Sequence, residues 1–177
     1  KPDVVIVATG SKYAVSDIPG ADGPNVLLAQ ELLARQMHFT GRRFAIIGGG
    51  MLGLETAEYL AVQGNDVTVL KRYESIGRDI EPLYCDYLLR ELAKHGVEIM
   101  THLEVQAIHA DGVLVRDEAG RECVVPADWV VLARGVEPAN DLARAIRELG
   151  PIVIGDAAQP RKIINAIAEA YRAARAI

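Results

Sequence analysis

The stretch FAIIGGGMLGLETAEYLAVQG, from Phe44 to Gly64, restricts this chain to few folds. An unbroken apolar run passes straight into glycines and then into a helical recurrence of Leu52, Leu54, Ala57, Leu60 and Ala61, closed by Gly64. NDVTVLKR follows as a second strand, so strand, glycine turn, helix and strand fill one right-handed βαβ unit. Gly48, Gly50 and Gly53 satisfy GxGxxG, a weak pattern alone. Between a buried strand and an amphipathic helix it gains meaning. The first glycine allows the turn, the second admits a diphosphate and the third lets helix and strand pack closely. The amides from Gly48 through Gly49, Gly50, Met51 and Leu52 to Gly53, with the partial positive charge of the helix end, form the expected phosphate cradle.

The second strand ends on Lys71 and Arg72. An NAD site places an acid about 20 residues past the glycines to accept from the ribose 2′-hydroxyl, whereas a 2′-phosphate is met by cations. The two basic residues favour NADP over NAD, Arg72 by bidentate contact and Lys71 as a point charge. The other reading has solvated cations at a strand end and Glu74 as the acid. Arg78 either joins the cluster or solvates its loop. Glu55, read as lying in the first turn of the cradle's helix, is either held by the helix dipole or placed toward the nicotinamide.

The rest of the chain alternates in the same α/β manner. DVVIVATG reads as a strand buried on both faces, SKYAVSDIPGADGPN as a crossover loop with a hinge, and VLLAQELLARQ as a short helix. LYCDYLLRELAKHG is a helix and VEIM a third parallel strand. HLEVQAIHADGVLVRDEAGRECVVPADWVVLA alternates apolar with polar residues and predicts a small antiparallel meander. ARGVEPANDLARAIRELG gives a loop and a helix, and PIVIGDAAQP a last buried strand expected to share a sheet with the first. RKIINAIAEAYRAARAI closes as an amphipathic helix with Ile163, Ile164, Ile167, Ala170, Tyr171, Ala174 and Ile177 on its apolar face. Asp156 could accept from a ligand's hydroxyls beside a helix starting near Pro160, or could cap its own turn.

Composition removes several classes. At 177 residues and 50% hydrophobic, the chain can close a sizeable core. A formal charge of −5 gives no electrostatic reason for nucleic acid or an anionic membrane. No apolar run reaches the roughly 20 residues of a spanning helix, and KPDVVIVATG lacks a signal peptide's zones, so the expected location is cytoplasmic. Cys85 and Cys123 are too far apart for a CxxC pair and read as reduced, buried thiols; the four histidines show no ligand spacing, and no metal is expected.

DVVIVATGS, FAIIGGGMLGLETAEYL, WVVLARGVEPANDL and IVIGDAAQPRKIINAIAEAYRAARAI, in this order, resemble the FAD/NAD(P)-binding half of the pyridine nucleotide-disulfide oxidoreductase superfamily. The closing segment is most similar to the NADH:flavin oxidoreductase branch that includes 2,4-dienoyl-CoA reductase. The resemblance implies an α/β fold: a Rossmann-like NAD(P)-binding domain over 25–137, inserted between pieces of an FAD-binding domain at 1–24 and 138–177. It puts Thr9 and Gly10 at the first crossing, Gly135 at the return and Asp156, beside Gly155, on the ribityl chain of FAD. Gly48, Gly50 and Gly53 hold the nicotinamide cofactor, with Glu55 toward its reactive end. The implied reaction is hydride transfer from nicotinamide to flavin. The alternative is a module that holds ADP structurally in an electron-transfer flavoprotein. The family's own FAD cradle, ahead of the ATG strand, is not in this sequence. The chain therefore reads as a fragment whose partner is a missing N-terminal flavin-binding region. Alone, it is expected to hold FAD weakly or not at all, and to be inactive.

Overall fold

The computed structural model describes residues 2–14 and 16–177. Val15, inside the expected crossover loop, and Lys1 lie outside the described residues. In chain order the strands are β1 (Ile6–Val7), β2 (Ser11–Tyr13), β3 (Val26–Leu28), β4 (Arg43–Ile47), β5 (Asp66–Leu70), β6 (Glu98–Met100), β7 (Leu103–His109), β8 (Gly112–Asp117), β9 (Glu122–Pro126), β10 (Trp129–Leu132), β11 (Val136–Pro138) and β12 (Ile152–Val153). The helices are α1 (Ala29–Ala34), α2 (Met51–Val62), α3 (Pro82–Lys94), α4 (Asp141–Ala145) and α5 (Ile163–Arg175). They fall into two compact units, Ser16–Arg134 and Lys1–Val15 with Gly135–Ile177. Among the described residues, no helix is long and apolar enough to cross a membrane.

In the Ser16–Arg134 unit a parallel sheet runs in the order β3-β10-β4-β5-β6. Side chains alternate across it, as strand geometry demands. Phe44, Ile46, Val67, Val69 and Val131 point to one face, where Leu54 and Leu60 of α2 and Leu88 and Leu92 of α3 cover them. Ala45, Ile47, Leu70, Val130 and Leu132 point to the other, where Leu103, Ile108, Val113, Val115 and Val125 cover them. The expected meander, β7-β8-β9, is therefore the second covering layer, in the place another helix would take in pure α/β alternation. α3 begins with Pro82 after Glu81, whose carboxylate accepts from Tyr84 N at 3.1 Å, and it stops at His95 before Gly96.

In this sheet two strand assignments differ from the sequence reading. VLLAQELLARQ is not one helix, because Val26–Leu28 pairs with Val130–Leu132 as an edge strand before α1 begins. A continuous apolar run fits either element, and the sheet's need for a neighbour beside β10 decides it. Trp129–Leu132 leaves the meander and returns to the parallel sheet between β3 and β4.

In the other unit β1 and β12 pair in parallel, Ile6 with Ile152 and Val7 with Val153, so the first and last strands share a sheet as expected. Only Val7 is fully buried, and Ile6 is 41% exposed. A two-stranded ribbon does not cover both faces, which corrects the reading of DVVIVATG and PIVIGDAAQP as buried strands. SKY, read as loop, forms β2 antiparallel to β11. α5 starts at Ile163 rather than near Pro160, and its apolar face is open: Ile163 is 80% exposed and Ile164 67%. Cys123 is exposed and Cys85 half-buried, so neither is the buried thiol the sequence suggested.

Candidate functional site

The glycine turn stands at the carboxyl end of β4, beside that of β10, where ligands of open α/β sheets gather. Its glycines are required for different reasons. Gly48 has φ 132°, and a Cβ there would lie 2.5 Å from the carbonyl oxygen of Ala133. A Cβ on Gly53 would lie 1.9 Å from the carbonyl oxygen of Gly48. At both positions the obstacle is backbone, so helix and strand meet at a distance that admits only hydrogen. Gly49 and Gly50 are instead covered by side chains. A Cβ on Gly49 would come within 2.8 Å of Ile76 Cδ1 and 3.2 Å of Lys71 Cδ, and one on Gly50 within 3.2 Å of both carboxylate oxygens of Asp79.

α2 begins at Met51, so Gly53 already lies inside the helix. Glu55 is consequently in the second turn, which corrects the first-turn assignment and weakens the dipole explanation, since that effect fades beyond the first turn. Its carboxylate instead accepts from the Tyr84 hydroxyl at 3.1 Å. The Tyr84 phenol is pushed above its ordinary range by burial first and by this bond second. No side chain of Gly50 caps the helix, and the amide of Met51 donates to both oxygens of Asp79, at 3.1 Å each. Leu52 completes the turn between Met51 and Gly53 and is half-buried.

The basic pair divides. The stem of Lys71 lies against Gly49, and among the described residues no ion pair engages its ammonium. Arg72 turns to Glu104 of β7, 2.9 Å away, and lies over the ring of Tyr73. Arg78 is exposed, next to Asp79 in the loop between β5 and α3. That loop is fixed to the glycine turn by Gly77 N donating to the Gly49 carbonyl at 2.8 Å.

The second set of predicted residues gathers in the other unit. Thr9 donates its hydroxyl to the Ala139 carbonyl, and Ala139 N donates back to Gly10 at 3.0 Å. Gly135 accepts from Ala14 N at 3.3 Å. Asp156 accepts from Arg161 N at 3.2 Å and, at 3.5 Å, from the Ser11 hydroxyl, so it does tie its own turn. Gly155 donates its amide to Glu169 of α5 at 2.8 Å, and a Cβ there would meet Ala166 at 3.4 Å. Glu169 also pairs with Arg161.

The Gly155 amide first, and Arg161 second, hold the Glu169 carboxyl below its ordinary 4.5. A depressed folded pKa contributes stability that is complete above the ordinary glutamate range and lost as pH falls through the folded value. The stability gap between the chain and its Glu169→Gln variant should thus be constant near neutrality and shrink only in acid below 4.5. Chemical denaturation at a series of pH values measures it. A gap unchanged into strong acid would refute the linkage.

Sequence reading missed Asp79, Tyr84, Glu104 and Glu169. Asp79, Tyr84 and Glu104 act from elements distant in sequence and sit in no motif, whereas Glu169 lies within the closing segment, where only the fold turns it back to Gly155 and Arg161.

A family model described as pyridine nucleotide-disulphide oxidoreductase matches residues 1–159. An NADH oxidase of Thermoanaerobacter brockii is 35% identical over 98% of this chain and 28% of its own length. A metal reductase of Desulforamulus reducens is 33% identical over 96% of this chain and 30% of its own. Among solved structures, a 2-naphthoyl-CoA reductase in complex with 2-naphthoyl-CoA superposes with a TM-score of 0.84, at 34% identity over 97% of this chain and 26% of that one. The chain thus spans less than a third of the length of these relatives.

Proposed function

Since the chain belongs to the pyridine nucleotide-disulphide oxidoreductases, a family of flavin-dependent redox enzymes, we propose that it is the nicotinamide-dinucleotide-binding portion of such an enzyme, passing hydride from NADPH, in preference to NADH, to FAD. The observation that carries this reading is the contact of Gly53 with the Gly48 carbonyl, too close for any side chain. It brings the amides of Met51, Leu52 and Gly53 to the tip of β4, where the one side chain that bonds the Met51 amide is the exposed carboxylate of Asp79, among the described residues. These residues fit a diphosphate.

In this reading the bound nicotinamide supplies the hydride, and the chain supplies orientation and exclusion of water. Gly48, Gly49 and Gly50 let the diphosphate approach the backbone. Lys71 and Arg72, with Arg78 next in line, receive the 2′-phosphate. Glu55, steadied by Tyr84, serves the nicotinamide end. Thr9, Gly10, Gly135, Gly155 and Asp156 serve the flavin side, with 1–24 and 138–177 assigned to the flavin-binding portion and 25–137 to the nicotinamide one. The NADH:flavin oxidoreductase branch is the assignment the closing segment favours.

Calorimetric titration with NADPH, NADH and ADP tests this. The expected order of affinity is NADPH, then NADH, then ADP. ADP binding as tight as either dinucleotide would make the cradle a structural nucleotide site, and no binding at all would remove the proposal.

A further inference from the structure

The Met51 amide is one of the few donors a diphosphate could use at this turn, and an internal anion already holds it. Asp79 places both carboxylate oxygens 3.1 Å from Met51 N and covers the face of Gly50 where a Cβ would stand. We propose that Asp79 is a built-in phosphate mimic, a latch that occupies the dinucleotide's diphosphate position and must swing away before the ligand seats. The inference rests on the nucleotide-binding reading above.

Three observations support a latch over a plain helix cap. First, Asp79 is exposed and, among the described residues, has no hydrogen bond or ion pair except with the Met51 amide. Rotating its side chain costs that contact alone. Second, its neighbours are fixed and need not move. Ile80 is buried, Gly77 N donates to the Gly49 carbonyl, and a Cβ on Gly77 would press within 2.5 Å of Cys85 Sγ. The bond from Gly77 uses a carbonyl, which a phosphate does not need. Third, the same loop holds Ser75, whose hydroxyl is buried and, among the described residues, has no hydrogen-bond partner. The first amides of a helix have no partner within it, and a rotatable carboxylate serves one of them until a doubly charged ligand offers more. Rotamer exchange is fast, so the latch acts on affinity rather than on the rate of entry.

The test is the affinity of NADPH, ADP and adenosine for the chain and for its Asp79→Asn and Asp79→Ala variants, with thermal unfolding as a check. The asparagine keeps the shape of the loop and removes the charge, so it carries the result should alanine impair folding. NADPH and ADP are expected to bind both variants about tenfold more tightly, the scale of one charge-assisted hydrogen bond. Adenosine, which has no phosphate, is expected to be unaffected. In the unliganded chain the Met51 amide resonance should shift on Asp79→Asn, and in the parent chain it should shift on addition of NADPH. Nucleotides that bind the parent chain but bind the variants no more tightly would overturn the latch and leave the nucleotide site intact. Failure of every nucleotide to bind any of the three proteins would overturn both.

Discussion

Gly53→Ala is expected to destabilise the Ser16–Arg134 unit by about 3 kcal/mol, the upper end of what overpacking costs, and to abolish the proposed dinucleotide binding with it. The added Cβ would meet the Gly48 carbonyl oxygen at 1.9 Å and its carbon at 2.9 Å. Neither obstacle is a side chain that could turn aside. Gly48 is held by its own amide bond to Leu70 at 3.1 Å, and Leu54 N bonds to Gly50 at 3.0 Å, so strand tip and helix start are both tied. Relief requires α2 to move away from β4, which breaks the packing of Leu54 and Leu60 over Phe44 and Ile46. The same movement displaces the amides that would face the diphosphate. Gly135→Ala is the control, because among the described residues nothing lies within 4 Å of its Cβ position and its φ is not left-handed. It is expected to change stability by less than about 0.5 kcal/mol. Urea denaturation of both variants decides the matter: equal midpoints would mean that the helix and strand are not locked as described.

How much of this was legible in the sequence depended on whether the cause was local. The βαβ unit was legible because glycines at fixed spacing, a buried strand and a helical recurrence all lie within one short stretch and agree. The pairing of the first and last strands was legible through their matching apolar runs. Val26–Leu28 was not, because VLLAQELLA has the same apolar count as helix or strand and only the edge of β10 distinguishes them. The apolar stripe of α5 was legible as a pattern but not as a location. Periodicity reports which residues share a face, not what covers it, and Ile167 and Tyr171 prove exposed. In the candidate site, the glycine turn was legible and its contact with Asp79 was not. Asp79 lies in a loop where an acid among Glu74, Arg78 and Glu81 looks like ordinary solvation, and only the fold brings it to Met51.

The same difference between motif and contact bears on the proposed preference for NADPH. Reversing both charges, in Lys71→Glu/Arg72→Glu, is expected to weaken NADPH by about thirtyfold, roughly 2 kcal/mol, while NADH changes little. The estimate stays well below that for a buried pair because Arg72 is 62% exposed and solvent screens it. Arg72 also begins with a partner: Glu104, at 2.9 Å, competes with any phosphate for the guanidinium. Lys71, whose stem rests on Gly49 and whose ammonium is engaged by no ion pair among the described residues, is then the cation that would meet a 2′-phosphate without losing an ion pair. Lys71→Glu alone should therefore cost more of the NADPH preference than Arg72→Glu alone. Glu104→Gln, by freeing Arg72, should strengthen NADPH without affecting NADH. Both preferences should shrink as salt is added, since the charges involved lie near the surface. Paired titrations with NADPH and NADH at low and high ionic strength read all of these. An unchanged ratio of the two affinities in the double variant would show that the strand-end cations do not read the 2′-position, leaving Glu74 as the acid of an NADH site.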